Sequence, residues 1–272
     1  MKNFFKITIP LAIIITLGAV IYQRSTGPTY PKKFRIGPSQ ERVLVKFPRS
    51  QGGTIDALVE LPVLNDQMSA SLTYKRFPTN DEWTTIPLLK EGNVLAARLP
   101  NQPPAGKLTY FVTVNAPWGV ENLGSMDKPI IIRYKGEVPI WILGPHVFFM
   151  FLAMLLSNLS GLEAIKRTQS AVSVGRLAFA SLFIGGMILG PVVQKYAFDV
   201  YWAGFPFDWD LTDNKLLIGV IFWAIAFFTN LKKPRYLTLI LAAIVLIGVY
   251  SIPHSMMGSQ YNYEAGKIET DR

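Results

Sequence analysis

Cysteine is absent from the 272 residues. That excludes disulfides, thiolate metal sites, iron–sulfur clusters and covalent c-type haem attachment through Cys-x-x-Cys-His. Histidine is nearly absent, with only His146 and His254 present. No His-Glu-x-x-His pair, zinc-type spacing, Ser-His-Asp order or Gly-rich phosphate loop occurs. Acidic residues are scarce, 18 against 27 Lys and Arg, which leaves a net charge of +9. That surplus does not point to nucleic acid. Lys2 and Lys6, then Lys166, Arg167 and Arg176, then Lys232, Lys233 and Arg235 all flank apolar segments, as the positive-inside rule describes.

Apolar residues are plentiful. Half the chain is hydrophobic and the mean hydropathy is +0.28, above an ordinary soluble domain. The apolar runs lie at residues 5–22 and beyond residue 138. Residues 1–22 read as an uncleaved anchor with a cytoplasmic N-terminus, because Val20-Ile21-Tyr22-Gln23 offers no small-x-small cleavage site. A cleaved signal peptide is the alternative. Residues 23–42 read as a basic linker with Pro and Gly, 43–137 as an exported domain, 138–253 as a four-helix transmembrane domain and 254–272 as an external tail. Spans are expected at about 138–160, 175–195, 214–230 and 236–252, the last two short for the ~20 residues that cross a bilayer. This arrangement leaves the basic loops 161–174 and 231–235 inside and the 196–213 loop outside. Gly185-Gly186 and Gly190 read as close-packing positions, with a kink at Gly190-Pro191.

The exported stretch reads as all-β. Strand runs are expected at 43–47, 54–61, 70–76, 83–88, 94–99, 108–114 and 129–134, with turns at Gly52-Gly53, Asn65-Asp66, Asn80-Asp81, Glu91-Gly92-Asn93 and Pro103-Pro104-Ala105-Gly106. With no disulfide, a sandwich of this size relies on its hydrophobic core. Leu72-Thr-Tyr-Lys-Arg76, Trp83, Gly92, Ala97-Arg-Leu-Pro100, Pro104-Ala-Gly106 and Tyr110-Phe-Val-Thr-Val114 resemble the order of features in immunoglobulin- or fibronectin-like accessory modules. The resemblance implies a sandwich and carries no activity.

Both histidines fall where apolar segments meet water on the expected outer side. Between them lies Tyr201-Trp-Ala-Gly-Phe-Pro-Phe-Asp-Trp-Asp-Leu-Thr-Asp-Asn214. A histidine inside a membrane segment needs a partner, because hydrocarbon supplies no hydrogen bonds. It serves either as a helix-packing group or as a ligand. Trp202, Phe205, Phe207 and Trp209 suit either a flat macrocycle or the headgroup layer. Asp213 or Thr212 is expected to cap the next helix. Asp208 and Asp210 are candidates to join His146 and His254 around copper, zinc or another transition metal, or to orient a ligating imidazole. Met256-Met257 offers soft ligands for copper and equally reads as packing.

The loop Tyr201–Lys215, followed by an apolar helix with Trp223, resembles the tryptophan-rich WWD segment of haem-handling proteins of cytochrome c maturation. The order His146, loop, His254 matches that family's pattern over residues 140–258. The resemblance implies axial haem ligation by His146 and His254, and a platform of Trp202 and Trp209. The loop is poorer in Trp than the family's, and Asp210-Leu-Thr-Asp-Asn replaces the usual continuation. The resulting expectation is a multi-pass inner-membrane protein with a periplasmic sandwich that binds haem b for electron transfer or haem handling, alongside a redox partner or other membrane subunits in the bilayer. Two alternatives stand beside it: a membrane metal-binding protein, and a non-catalytic structural or assembly subunit with no cofactor.

Overall fold

A computed structural model describes residues 5–253 and 258–270. The chain forms two compact units. One comprises Met1–Pro28, Val138–Ser259 and Thr270–Arg272; the other comprises Thr29–Glu137 and Gln260–Glu269.

The second unit is built of strands: β1 (Lys32–Ile36), β2 (Val43–Phe47), β3 (Ser50–Gly52), β4 (Ala57–Pro62), β5 (Ser69–Phe77), β6 (Thr84–Pro87), β7 (Leu89–Glu91), β8 (Val94–Leu99), β9 (Lys107–Ala116), β10 (Gly119–Leu123) and β11 (Ile130–Lys135). One sheet runs β3-β11-β9-β5-β6, with β10 also on β9; a second runs β4-β8-β7; β1 and β2 pair as a hairpin. All pairs are antiparallel except β11 with β3. Strand β4 alternates buried and exposed, whereas β9, flanked by β5 and β11, is buried almost throughout. Residues of both sheets and of β1–β2 meet in one core that includes Phe47, Leu61, Leu72, Leu99, Leu108, Tyr110 and Ile132. Burying such side chains contributes roughly 1.5–3 kcal/mol each, which is how the unit holds without disulfides.

One strand stands in what reads as a linker from sequence: β1, which pairs with β2. Strand β1 is short and carries Lys32, Lys33 and Arg35, so charge masks its alternation. The chain's end also forms a hairpin, β12 (Ser259–Asn262) with β13 (Lys267–Thr270). Within the β unit, Tyr261 N donates to Ala105 O at 3.1 Å.

The first unit is helical: α1 (Phe5–Thr26), α2 (Ile140–Ile165), α3 (Ser170–Leu182), a π-helical segment Phe183–Leu189, α4 (Gly190–Phe198), α5 (Leu211–Thr229) and α6 (Tyr236–Ser251). Four helices are long and apolar enough to cross a membrane: Ile7–Thr26, Ile140–Ile165, the continuous Ser170–Phe198, and Leu211–Thr229; α6 is apolar but shorter. Small residues set the approach of neighbours. A Cβ on Gly161 of α2 would lie 2.7 Å from the Ala243 Cβ of α6, so only glycine admits that separation. The core of this unit centres on Trp223, Ala153, Ala178, Leu182, Leu239 and Leu246.

Candidate functional site

His146 sits nearly two turns into α2, directly after Pro145. It is half-buried, and its Nδ1 lies 2.9 Å from the Gly185 carbonyl of the π segment. A carbonyl only accepts, so Nδ1 carries the proton and donates. In the neutral ring the lone pair then belongs to Nε2. The contact depends on glycine. A Cβ on Gly185 would meet Phe149 Cβ at 2.9 Å and the Met150 backbone nitrogen at 3.1 Å; one on Gly190 would lie 3.9 Å from His146 Cε1. The imidazole therefore lies against bare backbone where the helix is wound as π rather than α. Single π turns inside α-helices recur at functional sites. From sequence, Gly185-Gly186 reads as packing; the structure adds that Gly185 supplies the histidine's partner.

His254, Met256 and Met257 lie outside the described residues.

The loop between α4 and α5 is folded onto the start of α5 by its own carboxylates. Helix α4 ends at Asp199, whose φ is 58°, with Lys195 Nζ 2.6 Å from the Asp199 carboxylate. Asp210 is the N-cap of α5. Its Oδ1 accepts from Thr212 N at 2.7 Å and Asp213 N at 3.3 Å; its Oδ2 accepts from Ser259 N at 2.8 Å and Ser259 Oγ at 3.0 Å. The cap is thus Asp210, not Asp213 or Thr212, because the helix begins three residues earlier than the hydropathy alone suggests. Asp213 points back: Oδ2 accepts from Ala203 N at 2.6 Å and from Gln194 Nε2 at 3.0 Å. Asn214 Oδ1 accepts from Phe205 N at 2.8 Å. Asp208 accepts from Trp209 N and Thr270 N. Lys215, buried on the first turns of α5, donates to Ile252 O at 2.6 Å.

These bonds leave the aromatic rings turned outward. Phe205, Phe207 and Trp209 are 56%, 81% and 66% exposed, and Tyr201 is exposed as well. Trp202 is half-buried and donates from Nε1 to Phe205 O at 3.1 Å; Phe205 and Trp209 are 6.0 Å apart between ring centroids. Among the described residues, no group of three or more His, Asp, Glu or Cys is placed to hold a metal ion. Both carboxylates of the metal reading, Asp208 and Asp210, accept backbone N–H groups.

A second polar cluster escapes a hydropathy reading. Glu163 of α2 is buried and accepts from Thr8 Oγ1 of α1 at 2.7 Å, Thr168 Oγ1 at 2.7 Å and Ser170 Oγ at 3.1 Å. Asn158 Nδ2 donates to Thr16 Oγ1 of α1 at 3.0 Å. An expected span ending at residue 160 leaves Glu163 in a loop; the helix runs to Ile165 and carries it inward. A carboxylate so close to an apolar run is the signal that marks it. Each oxygen of Glu163 has a hydroxyl partner, so the cluster ties α1 to α2.

Comparison with protein-family models, curated proteins and solved structures finds no match.

Proposed function

We propose that this chain is an integral membrane protein in which Nε2 of His146, together with His254, would hold haem b for electron transfer or haem handling. The observation that carries the reading is the bond from His146 Nδ1 to Gly185 O. Ligating histidines are held by such a bond from the other ring nitrogen to a carbonyl or carboxylate, which fixes the tautomer and leaves the free nitrogen as the donor to iron. The platform in this reading is Trp202 and Trp209, of which Trp209 is exposed and Trp202 half-buried, with Phe205 6.0 Å from Trp209 between ring centroids. Haem needs imidazoles and an apolar wall. A copper or zinc ion would draw also on Asp208 and Asp210, whose oxygens already hold backbone N–H groups, so haem is the better-supported ligand. In this reading the β unit is an immunoglobulin-like module on the periplasmic side of the inner membrane. The 199–210 loop shares that side.

The test is the reduced-minus-oxidised visible spectrum of protein purified in mild detergent. A sharp Soret and α-band pair is expected, lost in both His146→Ala and His254→Ala. Bands retained in both variants would sink bis-histidine ligation.

A second reading rests on the same loop. Asp208, Asp210, Asp213 and Asn214 all stiffen it, which is what a docking platform for another membrane subunit requires. A featureless spectrum from folded protein that has been supplied with haem and not stripped of it would favour that non-catalytic role.

A further inference from the structure

We propose that the outer face of the β1–β2 hairpin binds anionic phospholipid headgroups. The hairpin is two-faced. Ile36, Val45 and Phe47 enter the core of the β unit and Phe34 packs against it. The register Lys33↔Lys46 and Arg35↔Leu44 places those four side chains together on the opposite, exposed face. Two lysines directly across a strand pair repel and weaken the pairing. A hairpin that keeps them gains where an anion lies between or above them.

The surroundings do not neutralise that face. Between residues 29 and 47 there are five basic residues, Lys32, Lys33, Arg35, Arg42 and Lys46, and one acidic residue, Glu41. The nearby Glu121 pairs with Arg42 at 3.6 Å and also accepts from Gly37 N and Trp118 Nε1. Lys33 Nζ lies 5.1 Å from the Tyr30 ring centroid. Among the described residues, Lys32, Lys33, Arg35 and Lys46 form no ion pair with a carboxylate. Leu44, 49% exposed, adds an apolar side chain to the cationic set, the composition that favours a membrane interface over a soluble anion.

The chain itself supplies proximity. Helix α1 ends at Thr26, and Lys32 follows six positions later. Six extended residues reach at most about 20 Å. The hairpin is therefore tethered within headgroup range of whichever leaflet α1 meets, so the proposal needs no particular sidedness. Lys and Arg side chains near a negatively charged bilayer surface are each attracted about fivefold, within a Debye length.

The experiment is amine-reactive footprinting of the full-length protein in nanodiscs. One set contains phosphatidylcholine alone; the other contains phosphatidylcholine and phosphatidylglycerol in equal parts. Labelling of Lys33 and Lys46 is expected to fall several-fold in the anionic discs and to recover in high salt, while Lys90 stays constant. In Lys33→Gln, which removes the cross-strand repulsion and so keeps the hairpin, protection of Lys46 in anionic discs should fall several-fold. Equal labelling in both lipids overturns the proposal. So does protection that ignores lipid charge, which would mean the face is covered by protein instead.

Discussion

Asp210 accepts four hydrogen bonds with one carboxylate, two from the start of α5 and two from Ser259. From sequence the cap is expected at Asp213 or Thr212, and Asp210 reads instead as a partner for a metal ion or an imidazole. What separates them is where the chain turns, and that is decided by Ala203 N and Gln194 drawing Asp213 backwards. Asp210→Ala should lower the stability of the helical unit by about 2–3 kcal/mol, combining a lost N-cap with two lost bonds to a charged acceptor. Asp210→Asn should cost about half as much, since Oδ1 still caps the helix while the amide nitrogen faces Ser259 N–H without accepting from it. Thermal unfolding in detergent, followed by helical circular dichroism, reads both. Equal loss in Ala and Asn would mean the Ser259 bonds carry the whole effect. His146 shows the same lesson from the other direction. Its rarity and its place in an apolar segment marked it, but its partner is a backbone carbonyl, and no side-chain pattern announces a carbonyl.

Elements with a clean period were legible, and those held by outside contacts were not. Strands 43–47 and 94–99 stand where alternation puts them, and β5, β9 and β11 differ only at their ends. Besides β1, the strands that escaped before the terminal hairpin, β3, β7 and β10, are short pieces stabilised by a neighbour: β3 lies parallel on β11, β7 pairs with β8, and β10 folds back on β9. The terminal hairpin escaped for a further reason. Residues 260–269 are polar, and beside the Tyr261 N to Ala105 O bond, Tyr263 holds them as a hub. Its hydroxyl lies 3.0 Å from both Gln102 Oε1 and Lys107 O and accepts from Lys107 N at 3.1 Å, with Arg76 5.1 Å from the ring centroid. Burial raises the Tyr263 phenol from 10.0 to about 12, against the opposing bond to Lys107. A raised phenol favours the protonated, folded form. Its contribution is complete below about pH 10 and is lost as pH climbs towards 12, because the unfolded chain then binds fewer protons. Burial also raises Tyr110 and Tyr134, which adds in the same direction. Denaturant unfolding of the β unit should therefore be flat from about pH 8 to 10 and fall steeply above it. Tyr263→Phe should lower stability at neutral pH by roughly 1–3 kcal/mol and flatten the fall between 10 and 12. An unchanged alkaline slope in that variant would remove Tyr263 from the account.

At the scale of the whole chain, the hairpin decides a question that length leaves open. Helix α6 has 16 residues, about 24 Å at 1.5 Å per residue, against roughly 30 Å of hydrocarbon. By length alone it would lie in the interface. Residues 260–269 nevertheless fold with residues 29–137 as one unit, through Tyr261 N to Ala105 O and the Tyr263 hub. Both must then be on one side of the membrane. The chain leaves that side at α2, and the continuous Ser170–Phe198 helix and α5 are each long enough to cross. Three such crossings would end on the opposite side. If each of those helices crosses, parity asks for a fourth crossing, and α6 is the apolar helix remaining among the described residues, with Ile252 and Pro253 following its C-terminal end and bilayer thinning absorbing the mismatch. The absence of native cysteine makes this testable without background. Single cysteines at Ser39, Phe207, Lys232 and Glu264, all exposed, should be labelled by a membrane-impermeant maleimide in intact spheroplasts at Ser39, Phe207 and Glu264, and at Lys232 only after permeabilisation. Labelling of Glu264 together with Lys232, and not with Ser39, would show that α6 does not cross and that the hairpin cannot bond to the β unit. Labelling at Lys232 alone before permeabilisation would keep the parity and invert the sidedness, placing the β unit and the 199–210 loop in the cytoplasm.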